Sequence, residues 1–399
     1  MTDPGSPVIR LAARGDGVTA DGRFVARAAP GDLVQVDGTV IPGPNHPTPP
    51  CRHFPECGGC QMQHVADAAY AQWMGERMAH ALQTSGVAVG QLMPAHLSPP
   101  RSRRRATLKA VRQGGAVTLG FHVEGTHRVL DLHECWVLRP ELFALVAPLR
   151  PLLATLLRDG DGSGVSLTLT DTGIDALISN VATNPRAWAS MTAFAATHDL
   201  ARLSIEGAGG IETVALARAP AVRLGGAVVE VPPAPFLQAT ADGEAALVAA
   251  VLAAGAGAAQ VADLFCGLGT FALPLAAAAK HVTAVDAAGP AIAALARAGG
   301  TRVRVATEHR DLFRRPLTPQ ELSRFDAVVF DPPRAGAKAQ VAELARSTVP
   351  RVVAVSCNAA TFARDAAALV AGGYQLGRLW PIGQFRWSNH VELVAEFVR

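Results

Sequence analysis

The stretch VADLFCGLGTFALPLA, Val261 to Ala276, decides how the second half of the chain is read. Its apolar start delivers Asp263 at the end of a strand. Gly267 and Gly269 then let the backbone turn tightly and approach a ligand, and a helix is expected from near Thr270. About one helix later VTAVD ends a second strand at Asp286, where a carboxylate can accept hydrogen bonds from two ribose hydroxyls. Position 272, three after the second glycine, is alanine, so this loop alone suits NAD and S-adenosylmethionine equally.

Working outward, the segments QVADLF, HVTAVD, RVRVA, DAVVFD and RVVAVS alternate with Ala-rich helical stretches from about Ala241, which predicts a parallel, doubly wound α/β sheet. The ending breaks that rhythm. YQLGRLWPI and VELVAEFV are two strands with no helix between them, and an antiparallel pair closing a parallel sheet is the topology of class I (Rossmann-like) methyltransferases. VVFDPPRAG, with Asp331, Pro332 and Pro333 after the fourth strand, is typical of methyltransferases acting on nucleobases and favours S-adenosylmethionine. Enzymes that methylate an exocyclic amine usually follow the two prolines with an aromatic residue; here Arg334 follows.

One strand later, RVVAVSCNAATF sets Cys357 past a strand end and before a helix, where a thiol faces the ligand crevice and a helix N-terminus favours thiolate. A thiolate has a specific use here. C5 of a pyrimidine is too weak a nucleophile to attack a sulfonium methyl until a thiolate adds at C6, after which a base must remove the C5 proton. Glu392, in SNHVELVAEF near the start of the last strand, is the candidate base. A base-amine methyltransferase would not need Cys357, and a noncatalytic RNA-binding protein with a degenerate methyltransferase fold would need neither residue.

Upstream, 399 residues with 49% hydrophobic content call for more than one domain. MTDPGSPVIR has no basic region followed by an apolar one, and no charge-free run approaches a membrane span, so a cytoplasmic, non-membrane protein acting as a monomer is expected. Residues 1–45 read as a small β unit, 46–240 as a β-rich central domain, and 241–399 as the catalytic domain. Within the central part, residues 66–83 carry Tyr70, Trp73, Met74, Met78 and Leu82 at helical spacing, so those aromatics are expected in a core. The run RSRRRATLKAVR is expected to direct Arg103, Arg105 and Lys109 toward phosphates from one strand face, with Ala106, Leu108 and Ala110 packed inward and Arg104 unexplained.

The combination of GDGVT, GRFVARAAPGDLV, CGGCQMQH, FLQAT, DLFCGLGTF, DPPRAGA, SCN and HVEL resembles the RNA uridine-5 methyltransferases, in the iron-sulfur-containing branch that includes the 23S rRNA enzymes. The resemblance spans nearly the whole chain. It implies a TRAM-like, OB-type β segment at the N-terminus, Cys357 as nucleophile and Glu392 as base. It also implies S-adenosylmethionine contacts at Gln238, Phe265, Asp286, Asp311 and Asp331 beside Gly267 of the loop, and an RNA substrate that is ribosomal before transfer RNA. Cys51, Cys57 and Cys60 are spaced C-x5-C-x2-C, and Cys135 is the one cysteine left after the cofactor loop and catalysis are assigned. Four thiolates suit a [4Fe-4S] cluster or a structural zinc, and the resemblance favours the cluster.

Overall fold

The computed structural model describes residues 5–234, 236–299 and 304–399. Arg302 and Val303, at the start of one expected strand, and the first four residues of the expected N-terminal unit lie outside them. The C-terminal sheet runs, in spatial order, Val305–His309, His281–Asp286, Gln260–Leu264, Ala327–Phe330 and Arg351–Ser356, all parallel. The antiparallel strands Glu392–Val398 and Gln375–Gly383 follow. These strands are apolar almost without interruption because both faces are covered: Ala262, Leu264, Val328 and Ala354 enter one core, while Val261, Val329, Val353 and Val355 enter the other. Strand order reverses between Gln260–Leu264 and Ala327–Phe330, which opens a crevice at the carboxyl ends of those two strands. The expected parallel sheet with its closing antiparallel pair is therefore present. The helix after the glycine loop starts at Ala272, two residues later than expected.

The central sheet has the order Gly210–Leu216, Arg202–Gly207, Gly173–Ser179, Gly162–Thr170, Arg105–Gln113, Ala116–Gly120. Period-two alternation divides its faces. Leu108, Ala110, Val165, Leu167, Ala176 and Ile178 pack under the helices Val146–Leu156 and Pro185–Thr197. On the opposite face Thr107 pairs with Ser166 and Arg105 with Thr168, leaving a polar surface free for the site described below.

Two segments expected in the central unit pack elsewhere. The helix Asp67–Thr84 buries Tyr70, Trp73, Met74, Met78 and Leu82 in the core of the C-terminal sheet, and Gln91–Leu92 and His96–Leu97 pair with its edge strand Gln375–Gly383. The hairpin Ala221–Leu224 and Ala227–Glu230 joins the other core of that sheet through Val222, Leu224 and Val229. Helical spacing identifies an apolar face but not the sheet that covers it, and here that sheet lies beyond residue 260. At the N-terminus five short antiparallel strands, Ser6–Leu11, Gly17–Thr19, Phe24–Val25, Leu33–Val34 and Val40–Ile41, form a separate sheet. Among the described residues, no helix is long and apolar enough to cross a membrane.

Candidate active site

The last antiparallel ladder brings the two chemistry-bearing residues together. Ser356 pairs with Leu393, so the next positions outward, Cys357 and Glu392, stand opposite each other at the ladder's end. Both line one cavity of about 910 Å³. Cys357 precedes the helix Ala359–Ala371, which is capped by Asn358, whose Oδ1 accepts the Ala360 amide at 3.0 Å. Asn358 Nδ2 and Thr361 Oγ1 both donate to the Arg334 carbonyl at 3.1 Å. The loop carrying Asp331 and Arg334 is thereby fixed against the loop carrying the thiol. Arg334 Nη2 donates to His390 Nδ1 at 2.6 Å, which requires an unprotonated nitrogen; burial and the Arg334, Arg77 and Arg103 charges all lower the His390 pKa.

Burial shifts the acidic groups here upward. Burial raises the Glu392 pKa to about 7, against the opposing pull of a Gln384 hydrogen bond and the Arg105 and Arg334 guanidiniums. Burial, then Glu392, Asp263 and Asp286, raise the Asp331 carboxyl well above its ordinary range. Asp263, wholly buried, is pushed to about 8, again mainly by burial. Burial also raises the Cys357 thiol, with Glu392 and Asp331 adding to the shift and Arg334 opposing it. The helix start expected to favour thiolate is present, and the Arg334 guanidinium acts in the same sense against burial.

Gln238 is held by a relay that the sequence does not signal. Gln384 accepts the Ala239 amide at 2.7 Å and donates to Gln238 Oε1 at 2.7 Å, which turns Gln238 Nε2 toward Asp331 at 3.5 Å. Neither periodicity nor a motif marks Gln384, because its partners lie 145 and 146 residues away.

The remaining expected cofactor residues collect at the carboxyl ends of neighbouring parallel strands. Phe265 has a φ of 61° and Gly267 one of 53°; a Cβ added at Gly267 would meet open space. At Gly269, φ 90°, the same atom would lie 2.5 Å from Leu295, so only glycine fits there. Asp286 accepts the Gly267 amide at 2.8 Å and the Ala288 amide at 2.7 Å. Asp311 accepts the Phe313 amide at 2.9 Å, and the Phe313 ring stands 5.4 Å from that of Phe265. A positive φ at a bulky residue, an open glycine and amide-bound carboxylates thus stand together at these strand ends.

Comparison with known proteins gives this geometry its context. The family described as tRNA (Uracil-5-)-methyltransferase matches residues 235–395. Over 393 residues the chain is 34% identical to the 23S rRNA (uracil(1939)-C(5))-methyltransferase RlmD of Bordetella parapertussis, spanning 92% of this chain and 83% of that one. The chain belongs to the RNA uracil-5 methyltransferase family. It is also 44% identical over 396 residues to an uncharacterized RNA methyltransferase of Zymomonas mobilis, covering 98% of this chain and 99% of that protein. It shares its fold with the Pyrococcus abyssi tRNA (uracil-54, C5)-methyltransferase solved with S-adenosyl-L-homocysteine, with a TM-score of 0.74, 21% identity and 99% of each chain covered.

For a member of the uracil-5 methyltransferase family, the walls of the cavity matter as much as its floor. The polar face of the central sheet supplies Arg105, Thr107, Ser166 and Thr168, and the segment before it supplies Arg103. The Arg105 guanidinium lies 4.5 Å from the exposed Phe236 ring, and burial lowers its pKa to about 10. The expected phosphate-facing set is thus divided: Arg103 and Arg105 line the cavity, while Lys109 sits farther along the strand in solvent. Arg104 faces the other way, donating to Glu244 at 2.6 Å and to the Gln238 carbonyl at 3.1 Å, so it anchors the two domains together.

Cys51, Cys57, Cys60 and Cys135 are unpaired and line one small pocket walled by Phe54, Phe121, Leu132 and Val137. Burial raises Cys57 to about 11 and Cys60 to about 12, and each is pushed further up by the other thiols. Among the described residues, no group of three or more His, Cys, Asp or Glu side chains is spaced to hold a metal ion. The pocket borders the catalytic cavity directly. Trp387 packs with Cys60 and Val137, its carbonyl accepts the Gln61 and Met62 amides at 2.7 and 2.9 Å, and Gly58, Gly59 and Gln61 face the cavity.

Proposed function

We propose that this protein methylates C5 of a uridine in RNA, using Cys357 as nucleophile and Glu392 as base. The observation that carries the reading is the ladder register that sets the thiol opposite a buried carboxyl inside an arginine-walled cavity. S-adenosylmethionine supplies the methyl group from a positively charged sulfur. Gln238, Phe265, Gly267, Asp286, Asp311 and Asp331 are the residues to hold it, and the open space at Gly267 and the donor-poor Asp331 carboxyl suit that ligand.

The chain's own groups act in two stages. Cys357, as thiolate, forms a C–S bond to C6, moving the C5–C6 π electrons toward O4 and making C5 nucleophilic. Once C5 carries the methyl group, the Glu392 carboxylate takes the C5 proton; the released pair re-forms C5=C6 and expels the thiolate. A base whose pKa is about 7 is ionised often enough to accept that proton near neutral pH and basic enough to want it.

Ribosomal RNA is the favoured substrate, since the Bordetella relative that aligns over 92% of this chain is named for 23S rRNA. Transfer RNA is the alternative. Cys51, Cys57, Cys60 and Cys135 are proposed to bind a [4Fe-4S] cluster. Four unpaired thiols in one apolar pocket, with Cys57, Cys60 and Cys135 raised by burial, are a donor set that a cationic group would stabilise, and six unpaired cysteines suit a reducing compartment. Its role is to hold the cysteine loop against the Trp387 loop rather than to transfer electrons.

The test is to incubate anaerobically purified protein with S-adenosylmethionine and unmodified 23S rRNA or tRNA transcripts, then digest to nucleosides. We expect 5-methyluridine in the ribosomal transcript. Methylation at a base amine or ribose instead would contradict the proposal.

A further inference from the structure

Cys357 opens onto a second cavity that the proposed reaction does not use. It has a volume of about 350 Å³ and lies between the N-terminal sheet, the helix Asp67–Thr84 and the catalytic loops. Its lining includes Arg14, Arg77, Arg334, Cys357, Asn358 and His390. Arg334, Cys357 and His390 also line the larger cavity, so the two spaces meet at the nucleophile.

The second cavity carries an excess of positive charge. Three guanidiniums face it and no Asp or Glu lines it. Among the described residues, none of the three arginines is paired with a carboxylate: Arg77 donates to the Asn389 carbonyl and lies 5.3 Å from the Trp73 ring, Arg334 is spent on His390, and Arg14 stands exposed at the rim. Arg77 is half-buried and, without an anionic partner, gives up hydration for little return, so an anion placed between it and the exposed Arg14 and Arg334 is favoured. Its size admits a single nucleotide and not a duplex. The two cavities meet at Cys357, so an RNA whose target uridine occupies the larger one has the smaller one beside it, and the charge that such a strand carries at every residue is its phosphodiester.

We propose that the second cavity binds the sugar-phosphate of a nucleotide adjacent to the target uridine, with Arg14 and Arg77 on its phosphate, so that single-stranded RNA crosses the nucleophile between the N-terminal and catalytic sheets. This rests on the RNA uracil reading and adds to it a path for the strand and a role for the N-terminal sheet.

The test uses the full chain, an unmodified 23S rRNA transcript and a salt series. Arg14→Ala is expected to weaken RNA binding about 5- to 10-fold and to reduce the slope of log K against log salt by about 0.7, the share of one single-strand phosphate. Arg14→Glu should weaken it further, and S-adenosylhomocysteine affinity, which reads folding of the catalytic domain, should not move. Once the methylated uridine is mapped, a short RNA bearing one neutral methylphosphonate beside it should bind the wild type as weakly as the charged RNA binds Arg14→Ala, with no further loss when both changes are combined. A wild type that methylates the transcript while both Arg14 variants keep its affinity and salt slope would overturn this cavity assignment alone. A wild type that neither binds nor methylates the transcript would overturn it together with the reading beneath it.

Discussion

The molecule keeps its sulfur in two neighbouring places and treats it differently in each. Burial raises the Cys357 thiol, but Arg334 pulls it back, Asn358 caps a helix behind it and it faces two cavities. Cys51, Cys57, Cys60 and Cys135 line a small, mostly apolar pocket, where burial and the neighbouring thiols raise Cys57 and Cys60 to about 11 and 12. The first environment keeps a thiol within reach of a guanidinium and open to two cavities. The second penalises ionisation of Cys57, Cys60 and Cys135, which a bound cationic group would offset.

The contrast is broken most severely at the nucleophile. Cys357→Ala should lower turnover by about 10⁴-fold or more while leaving S-adenosylhomocysteine binding and iron content unchanged, as losing the atom that makes the covalent bond requires. Measurable methylation at near-wild-type rate would remove the distinction between the two sulfur sites.

Cys135→Ala should do the reverse. Iron and sulfide content fall, the melting temperature drops by about 5–10 °C, and RNA binding suffers because Trp387 loses its backing; the catalytic sheet still binds S-adenosylhomocysteine. One zinc and no iron in protein prepared without oxygen would preserve the four-thiol site and refute the cluster.

Glu392→Gln separates chemistry from stability. Methyl transfer should proceed and elimination stall, so enzyme linked to methylated RNA accumulates. Because the Glu392 pKa is about 7 in the folded chain against an ordinary 4.5, the folded state holds the proton more tightly than the unfolded one, and the wild type loses stability as pH rises between those values. The amide should therefore stabilise the free protein by on the order of 1–3 kcal/mol at pH 8, the gain vanishing below about pH 4.5. Equal denaturation midpoints at pH 8 would show that the carboxyl is not strained by burial.

The smallest expected effect is a rate ratio. In metal-free protein, iodoacetamide should alkylate Cys357 several-fold faster than Cys57 or Cys60, since Cys357 pairs partial solvent access with a nearby guanidinium while Cys57 and Cys60 are buried. Peptide mapping after brief exposure reads that order directly.

How much of this the sequence carries depends on how far apart the partners are. The doubly wound sheet, the turn at Gly267–Gly269 and the pair Cys357 and Glu392 are local patterns: alternating strands and helices, short motifs at strand ends, and a final ladder whose register follows from two adjacent strands. Alternation alone leaves Arg104 unexplained, because its partner, Glu244, is 140 residues away. Tyr70 is visible as an apolar helix position, but nothing local places its hydroxyl on the Ser388 carbonyl, 318 residues on at 2.7 Å. The same holds for the direction of Arg105. Alternation sets its face of the strand, whereas the catalytic cavity opposite that face exists only after two domains pack. The surroundings of the thiol divide in the same way, since the helix start behind Cys357 is a local feature and its burial is not.

The central claim is that Cys357 bonds to C6 of uracil and that Glu392 releases it. The most direct measurement is the intact mass of the protein after incubation with S-adenosylmethionine and RNA carrying 5-fluorouridine at the mapped site, followed by peptide mapping, because fluorine cannot leave as a proton and the adduct is trapped. The account predicts one stoichiometric RNA adduct, already methylated and attached through Cys357. An adduct through any other cysteine, or steady turnover of ordinary RNA with no adduct from the fluorinated one, would contradict it.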